Sequence, residues 1–390
     1  MKKIAIVSCY FQPNYGSMLQ ALATQEILNI NEIPNETICI DGLEKEIHSA
    51  KMKYFRSRMF SADVIKDKMG FAGLAVMKKI NRQLGKNIAL RKQKFNNFSK
   101  TMFNISEKYN STAELGNNAD KYSAFLVGSD QLWLPSNISA DYYTLSFVPD
   151  NIRKISYATS FGVSSLPQKQ AESAKAFLPR MDFLSVREKS GQELVKKLTG
   201  LNAELVCDPT LLLKREQWNS LIKPEKIIKE PYIFCYFLGN NRFSRQCAKR
   251  LARKTGLKIV ALQQLDTYVK NDEKFADIAP YDIDPADFVN LIRNATFVCT
   301  DSFHGTVFSV INHKRFFSFR RFTEQTTMST NSRIDSLLSV IGLENRIINT
   351  PDDFRTQLKI KTDYSEVDGK LNTFRENSLA FLLKALEGLE

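Results

Sequence analysis

The sequence predicts an α/β protein of two doubly wound domains facing a cleft. Three observations lead to this. The chain has 390 residues, more than a single hydrophobic core usually serves. Short apolar, β-rich runs alternate with helix-forming stretches, which is the pattern of βαβ units and parallel sheets. A polar, Lys- and Pro-containing stretch at residues 214–231 interrupts that alternation, and the alternation then resumes.

The elements follow in order. Residues 3–8 are a β-rich run. Tyr10, Gln12, Pro13 and Asn14 come directly after it, so it reads as a strand and not as a leader peptide. Residues 11–16 form a loop. Residues 17–28 form a helix, with Leu19, Leu22, Ala23 and Ile27 near helical spacing. Residues 37–40 give a second strand, and a basic insertion at about 45–110 then intervenes. Strands follow at 124–127, 155–158, 183–186 and 204–207. Each stops at a polar cluster: Gly128-Ser129-Asp130, Ser160-Phe161-Gly162, Arg187-Glu188 and Asp208-Pro209-Thr210. Open parallel sheets hold ligands outside the carboxyl ends of their strands, so these clusters are expected along one edge.

Residues 1–213 make the first domain on this reading, and 214–350 the second. The second has strands at 232–238, 258–262, 296–300 and 316–319. Its helices lie at 243–255, 285–294 and 306–312, with Pro285 suited to a helix start. Residues 351–390 form a C-terminal segment. Its helix, 370–386, carries Leu371, Phe374, Leu379, Leu382 and Leu383 and is expected to pack back across both domains.

Composition excludes several classes. No apolar run approaches the ~20 residues a bilayer span needs. The six cysteines include no CxxC pair, and the three histidines show no zinc spacing, so no metal or cofactor is expected. Buried free thiols fit a reducing, cytoplasmic setting. The net charge of +13 is concentrated between residues 49 and 108, where fifteen lysines and arginines face three carboxylates. Met52, Phe55, Met59, Phe60 and other apolar residues interleave with them. This segment reads either as a solvated insertion or as a peripheral contact with an anionic membrane surface. No nucleic-acid motif accompanies it.

Cys299-Thr300-Asp301-Ser302-Phe303-His304-Gly305-Thr306 is the strongest candidate for chemistry. A buried strand runs into a turn and then a helix. Gly305 permits a backbone path that a Cβ would block, and Ser302 can cap the helix. The helix N-terminus favours anions, and His304 can exchange protons near neutral pH. Arg187 at a strand end, Arg333 and Lys314 are candidate anion ligands. Ser129, Asp130, Gln131 and Trp133 offer polar groups for sugar hydroxyls and an aromatic face for the ring. Asp130 is the candidate base for an acceptor hydroxyl. Asn14-Tyr15-Gly16 either binds substrate or caps the first helix.

These segments together resemble the polysaccharide pyruvyl transferase family. Asn14-Tyr15-Gly16, the 127–133 and 155–162 segments, Ser185-Val186-Arg187-Glu188, Asp208-Pro209-Thr210, the 300–306 segment and Asn331-Ser332-Arg333 occur in family order. The chain departs at His313-Lys314-Arg315-Phe316, where the family more often reads Gly-Lys-Pro-Phe. The resemblance implies two Rossmann-like domains in the GT-B arrangement. It implies phosphoenolpyruvate as donor co-substrate and a sugar or lipid-linked oligosaccharide as acceptor. Donor binding then falls to Arg187, Ser302, His304, Gly305, Lys314 and Arg333, in the second domain and at its edge. Acceptor binding falls to Asn14, Tyr15, Gly16, Ser129, Asp130, Gln131 and Trp133 in the first. His304 and Arg187 are the expected catalytic pair. The alternative is a GT-B glycosyltransferase using a nucleotide sugar, and a membrane-bound scaffold is the non-enzymatic reading.

Overall fold

A computed structural model describes residues 2–57, 81–264, 268–321 and 332–389. Two parallel sheets organise the chain. The first has strands β1 (Lys3–Val7), β2 (Asn35–Thr37), β3 (Tyr122–Val127), β4 (Arg153–Thr159), β5 (Phe183–Val186) and β6 (Glu204–Leu205), in the order β2-β1-β3-β4-β5-β6. The second has β7 (Tyr232–Tyr236), β8 (Lys258–Ala261), β9 (Phe297–Thr300), β10 (Arg315–Phe319) and β11 (Ile347–Ile348), in the order β11-β10-β9-β7-β8. The two orders are the same winding. Each reverses direction once, between β1 and β3 and between β7 and β9, and ligands bind at such reversals.

Alternation along the strands distributes the core. Phe234, Val298 and Phe316 point to the face that shares a continuous apolar core with the first sheet. Ile233, Cys235, Cys299 and Phe317 point to the other face, beneath Cys247, Leu251 and Phe354. All six cysteines are buried and free.

The structure shifts two of the expected elements and adds a strand. The second strand lies at Asn35–Thr37, ahead of 37–40, although Ile38 N–H still donates to Ile6 O at 2.9 Å. The helix expected from 306 begins at Phe303, because Ser302 serves as its N-cap and accepts from Gly305 N–H at 3.3 Å. His304 therefore sits in the first helical turn. Strand β11 is two residues long, too short to give a periodic signal.

The carboxyl edges of the two sheets face each other, and four sets of contacts hold them so. Tyr15, in the Tyr15–Ile30 helix, donates its hydroxyl to Ile283 O at 3.2 Å. Its ring stacks on Phe288 at 4.8 Å, with planes 9° apart. The insertion supplies the helix Arg82–Met102, whose buried Arg91 donates to three carbonyls of the second half. Its Nε reaches Tyr281 O at 3.2 Å, and its terminal nitrogens reach Gln263 O and Pro280 O at 2.5 Å each. The C-terminal helix Tyr364–Leu386 ties both halves. Ser378 Oγ accepts from Cys207 N–H at 2.8 Å, and Tyr364 donates to Lys314 O at 2.6 Å.

The basic insertion is thus partly an internal element. Ile88, Arg91, Phe95 and Phe98 are buried, while Met52, Phe55 and Leu90 are exposed. Residues 58–80, with much of the expected membrane-facing sequence, lie outside the described residues. No helix among the described residues is long and apolar enough to cross a membrane.

Arg91→Ala should leave three half-buried carbonyls without their donor. We expect a loss of roughly 2 kcal/mol, since an acceptor only partly removed from water regains part of its hydration when its partner is lost. Urea unfolding reads this directly, and Arg91→Lys should restore only part, having a single nitrogen.

Candidate active site

The polar clusters at the strand ends converge. Ser129 and Asp130 follow β3, Arg187 and Glu188 follow β5, and Asp208 follows β6. At their centre is the buried Arg187 guanidinium. One terminal nitrogen donates to Asp208 Oδ2 at 2.6 Å and to Ser129 Oγ at 3.3 Å, and the other to Asp130 Oδ1 at 3.0 Å. Its plane lies 4.7 Å from the centre of the Phe303 ring. Asp208 accepts in addition from the Ser129 hydroxyl at 2.8 Å, the Thr210 hydroxyl at 2.6 Å and Thr210 N–H at 3.1 Å. Asp130 accepts from the Ser17 hydroxyl at 2.5 Å. Its backbone is left-handed, with φ of 77°, a conformation Asp tolerates better than most residues. Ser160 N–H donating to Asp130 O at 2.9 Å helps to hold it there.

The charges decide the protonation states. Burial raises both aspartate carboxyls, but the opposing cations outweigh it. Asp130 settles at about 2 because Arg187, His304 and Arg333 surround it. Asp208 is held well below the carboxylate range by His304 and Arg187. Both are therefore ionised. Glu188 has the reverse balance, since burial dominates and its carboxyl is raised. Burial and the nearby Arg187 push Arg333 down to about 9, so it stays cationic at neutral pH.

The second half presents His304 and Arg333 to this cluster. His304 Nε2 lies 3.6 Å from Asp208 Oδ2, and Arg333 Nη1 lies 3.8 Å from Asp130 Oδ1. The first helical turn can present His304 here because residue 305 is glycine. A Cβ on Gly305 would sit 2.5 Å from Thr300 Oγ1. The opposite wall also needs a glycine, since a Cβ on Gly16 would come within 1.9 Å of His304 Nδ1. Three buried nitrogens at this junction have no hydrogen-bond partner: Arg187 Nε, His304 Nε2 and Arg333 Nε. Two of them face carboxylates beyond hydrogen-bond reach, Arg187 Nε at 3.9 Å from Glu188 Oε2 and His304 Nε2 at 3.6 Å from Asp208 Oδ2, and the N-terminus of the Phe303–Ile311 helix lies beside them.

Of the residues expected from sequence, Gly16, Ser129, Asp130, Arg187, Ser302, His304, Gly305 and Arg333 are brought together. The others serve elsewhere. Trp133 is a core residue, packed on Phe161 and Phe177 with its indole N–H donated to Tyr143 O at 3.0 Å, so it offers no face to a sugar. Tyr15 is buried between the halves. Asn14 accepts from Ser17 N–H at 3.2 Å and so acts as a helix cap. Gln131 packs its amide against Gly162. Lys314 lies past the far end of the Phe303–Ile311 helix, about 13 Å along the axis from His304. Its ammonium donates to Arg293 O at 2.8 Å.

Two roles also change. Arg187 has both terminal nitrogens committed to carboxylates, so it organises the site and has only Nε left for a ligand. The Asp130 carboxylate is engaged by Arg187 and the Ser17 hydroxyl. The sequence reading assigns Asp208 no role, although it ends a strand exactly as Asp130 and Arg187 do. Glu188, named in the same strand-end cluster as Arg187, and Ser17, not singled out from sequence, also complete the cluster.

A family model described as polysaccharide pyruvyl transferase matches residues 14–321. No curated protein matches the sequence. Among solved structures, a protein assigned as a UDP-N-acetylglucosamine 2-epimerase from Listeria monocytogenes aligns at a TM-score of 0.54 and 10% identity, over 99% of this chain and 96% of its own. The UDP-GlcNAc 2-epimerase of Neisseria meningitidis, bound to UDP-GlcNAc, aligns at 0.47 and 10% identity over 99% of each chain. MurG of Acinetobacter baumannii aligns at 0.43 and 8% identity, over 98% of this chain and 99% of its own. The first of these, at a TM-score above 0.5 and 10% identity, shows the fold alone, which is the GT-B arrangement.

Two outcomes follow from the geometry. Gly16→Ala should displace the His304 ring, so its imidazole NMR signals should move while circular dichroism stays unchanged. Unmoved signals would mean that the two edges do not meet at this point. Asp130 sits below its ordinary value of 3.8, so its ionised form stabilises the fold above about pH 4. That contribution, of the order of 2 kcal/mol, is lost as pH falls through about 2. Urea unfolding across this range should show a component in the wild type that Asp130→Asn lacks.

Proposed function

We propose that this chain, which belongs to the polysaccharide pyruvyl transferase family, moves the pyruvyl group of phosphoenolpyruvate onto two hydroxyls of a sugar. The acceptor would be a precursor of a cell-envelope polysaccharide or exopolysaccharide. The observation that carries this reading is the trio of unpartnered buried nitrogens on His304, Arg187 and Arg333 at a helix N-terminus. Phosphoenolpyruvate is a small, multiply charged anion, and it would supply the acceptors these donors lack. It would also offset the burial and, after it, the repulsion from Arg187 that together lower Arg333.

The chemistry needs one group that both gives and takes a proton. His304 gives a proton to the methylene carbon, and cationic character develops at the adjacent carbon bearing phosphate. A sugar hydroxyl attacks that carbon and loses its proton to the imidazole. The carbon–oxygen bond to phosphate breaks, and a second hydroxyl closes the cyclic ketal as its proton leaves with phosphate. Atoms and charge balance without an oxidant or reductant. Asp208, 3.6 Å from Nε2, favours an imidazole that carries its proton on that side. Arg187 contributes by holding Asp208 and Asp130 in place.

Thermal unfolding with added phosphoenolpyruvate tests the reading. Binding to the native state stabilises by mass action, by about 2.7 kcal/mol at a hundredfold excess over Kd. The shift should vanish in His304→Ala and in Arg333→Gln. A shift only with nucleotide sugars would replace this reading with a glycosyltransferase.

A further inference from the structure

A second cavity lies further along the edge of the second sheet. The helix Arg82–Met102 turns one face toward that sheet, with Leu84, Asn87, Arg91 and Phe95 recurring at helical spacing. Phe95 meets Tyr15 at 4.8 Å, and Arg91 is fixed on the second half. Nearer the helix N-terminus, Leu84 and Asn87 wall a cavity of about 290 Å³. Gln263, Gln264, Tyr268 and Tyr281 wall the other side.

Gln263 and Gln264 lie just beyond the carboxyl end of β8. Strand β7 separates β8 from β9, which leads to His304. Neighbouring strands are about 4.8 Å apart, so the cavity is roughly 10 Å along the edge from the imidazole. Both thus lie along the same carboxyl edge.

The lining does not favour an anion. Among the described residues it holds no lysine or arginine, and it includes Asp272 and Glu273. Those carboxylates are already engaged: Asp272 accepts from Arg245 Nε at 2.6 Å, and Glu273 accepts from the Tyr268 hydroxyl. The amides are partly engaged as well: Gln263 accepts from the Tyr281 hydroxyl at 2.6 Å, Gln264 donates to Leu238 O, and Asn87 Oδ1 accepts from Gln83 at 2.8 Å. What remains is Asn87 Nδ2 as a donor on one wall and Gln264 Oε1 as an acceptor on the other, with tyrosine rings and Leu84. Amides donate and accept at adjacent positions, as vicinal hydroxyls require, and the rings and leucine suit the C–H face of a pyranose. The volume is near the lower end of ligand pockets, roughly 300–1,000 Å³, and suits a short ligand.

We propose that this cavity is a subsite for an uncharged sugar ring of the acceptor, one that flanks the ring being ketalised at His304. The proposal rests on the pyruvyl-transfer reading for the identity of the reacting centre. It makes the insertion helix, held by Arg91, one wall of the acceptor site and a determinant of acceptor choice.

The test uses ligand-observed NMR on the full chain. The probes are the methyl glycosides of glucose, galactose, mannose, N-acetylglucosamine and N-acetylmannosamine, with uridine as comparison. At least one glycoside should bind. Asn87→Trp, which fills the cavity from the helix side, should raise its Kd by about tenfold or more, the factor that 1.4 kcal/mol represents. Asn87→Ala should weaken binding to a smaller degree without adding bulk. The phosphoenolpyruvate-dependent thermal shift should be unchanged in both variants, which also shows that they fold. No binding by any glycoside, binding unaffected by both substitutions, or binding of uridine alone would overturn the subsite. Absence of the phosphoenolpyruvate shift in the wild type would instead overturn the donor reading, and the glycoside measurement is independent of it.

Discussion

The buried Arg187 guanidinium is the interaction on which the site depends. It joins the loops after β3, β5 and β6 by donating to Ser129, Asp130 and Asp208. Taking a guanidinium and two carboxylates out of water is costly, and their mutual attraction offsets this only with good geometry and further hydrogen bonds. Here those bonds come from Ser17, Ser129 and Thr210. The gain is rigidity. Asp208 is fixed where His304 can meet it, and Asp130 is fixed where Arg333 can.

The second dependence is on closure. Arg187, His304 and Arg333 are all more than nine-tenths buried where the two halves meet. The contacts across this junction include the Tyr15 stack on Phe288, the Arg91 anchor and the C-terminal helix, over an apolar core continuous between the sheets. Closure of this kind excludes water and concentrates the electrostatic effect of each buried group.

The basic insertion has a mixed character that its charge count hides. One of its arginines is buried on backbone carbonyls, and its aromatic residues Phe95 and Phe98 belong to the core. A long cationic side chain reads the same in a sequence whether solvent or a ring of carbonyls surrounds its head group. Only the packing distinguishes them.

The alternation of apolar runs with helix formers was enough to determine two parallel α/β sheets, because strand and helix periods differ and strand ends carry polar clusters. The strand-end rule likewise located Ser129, Asp130, Arg187, Ser302 and His304, since the chain must leave a buried strand through a polar turn. The need for glycine at 305 was legible for the same local reason. The assignment of the remaining residues needed the tertiary structure. Trp133 and Tyr15 are aromatic and polar-tipped, and nothing in their type separates a sugar platform from a core ring whose N–H or O–H finds a carbonyl. Lys314 follows the critical helix in sequence, yet the helix carries it to the opposite edge of the sheet. Whether Arg187 met a ligand or two aspartates depended on where β3 and β6 lay relative to β5, and that order is a property of the folded sheet and not of any local segment.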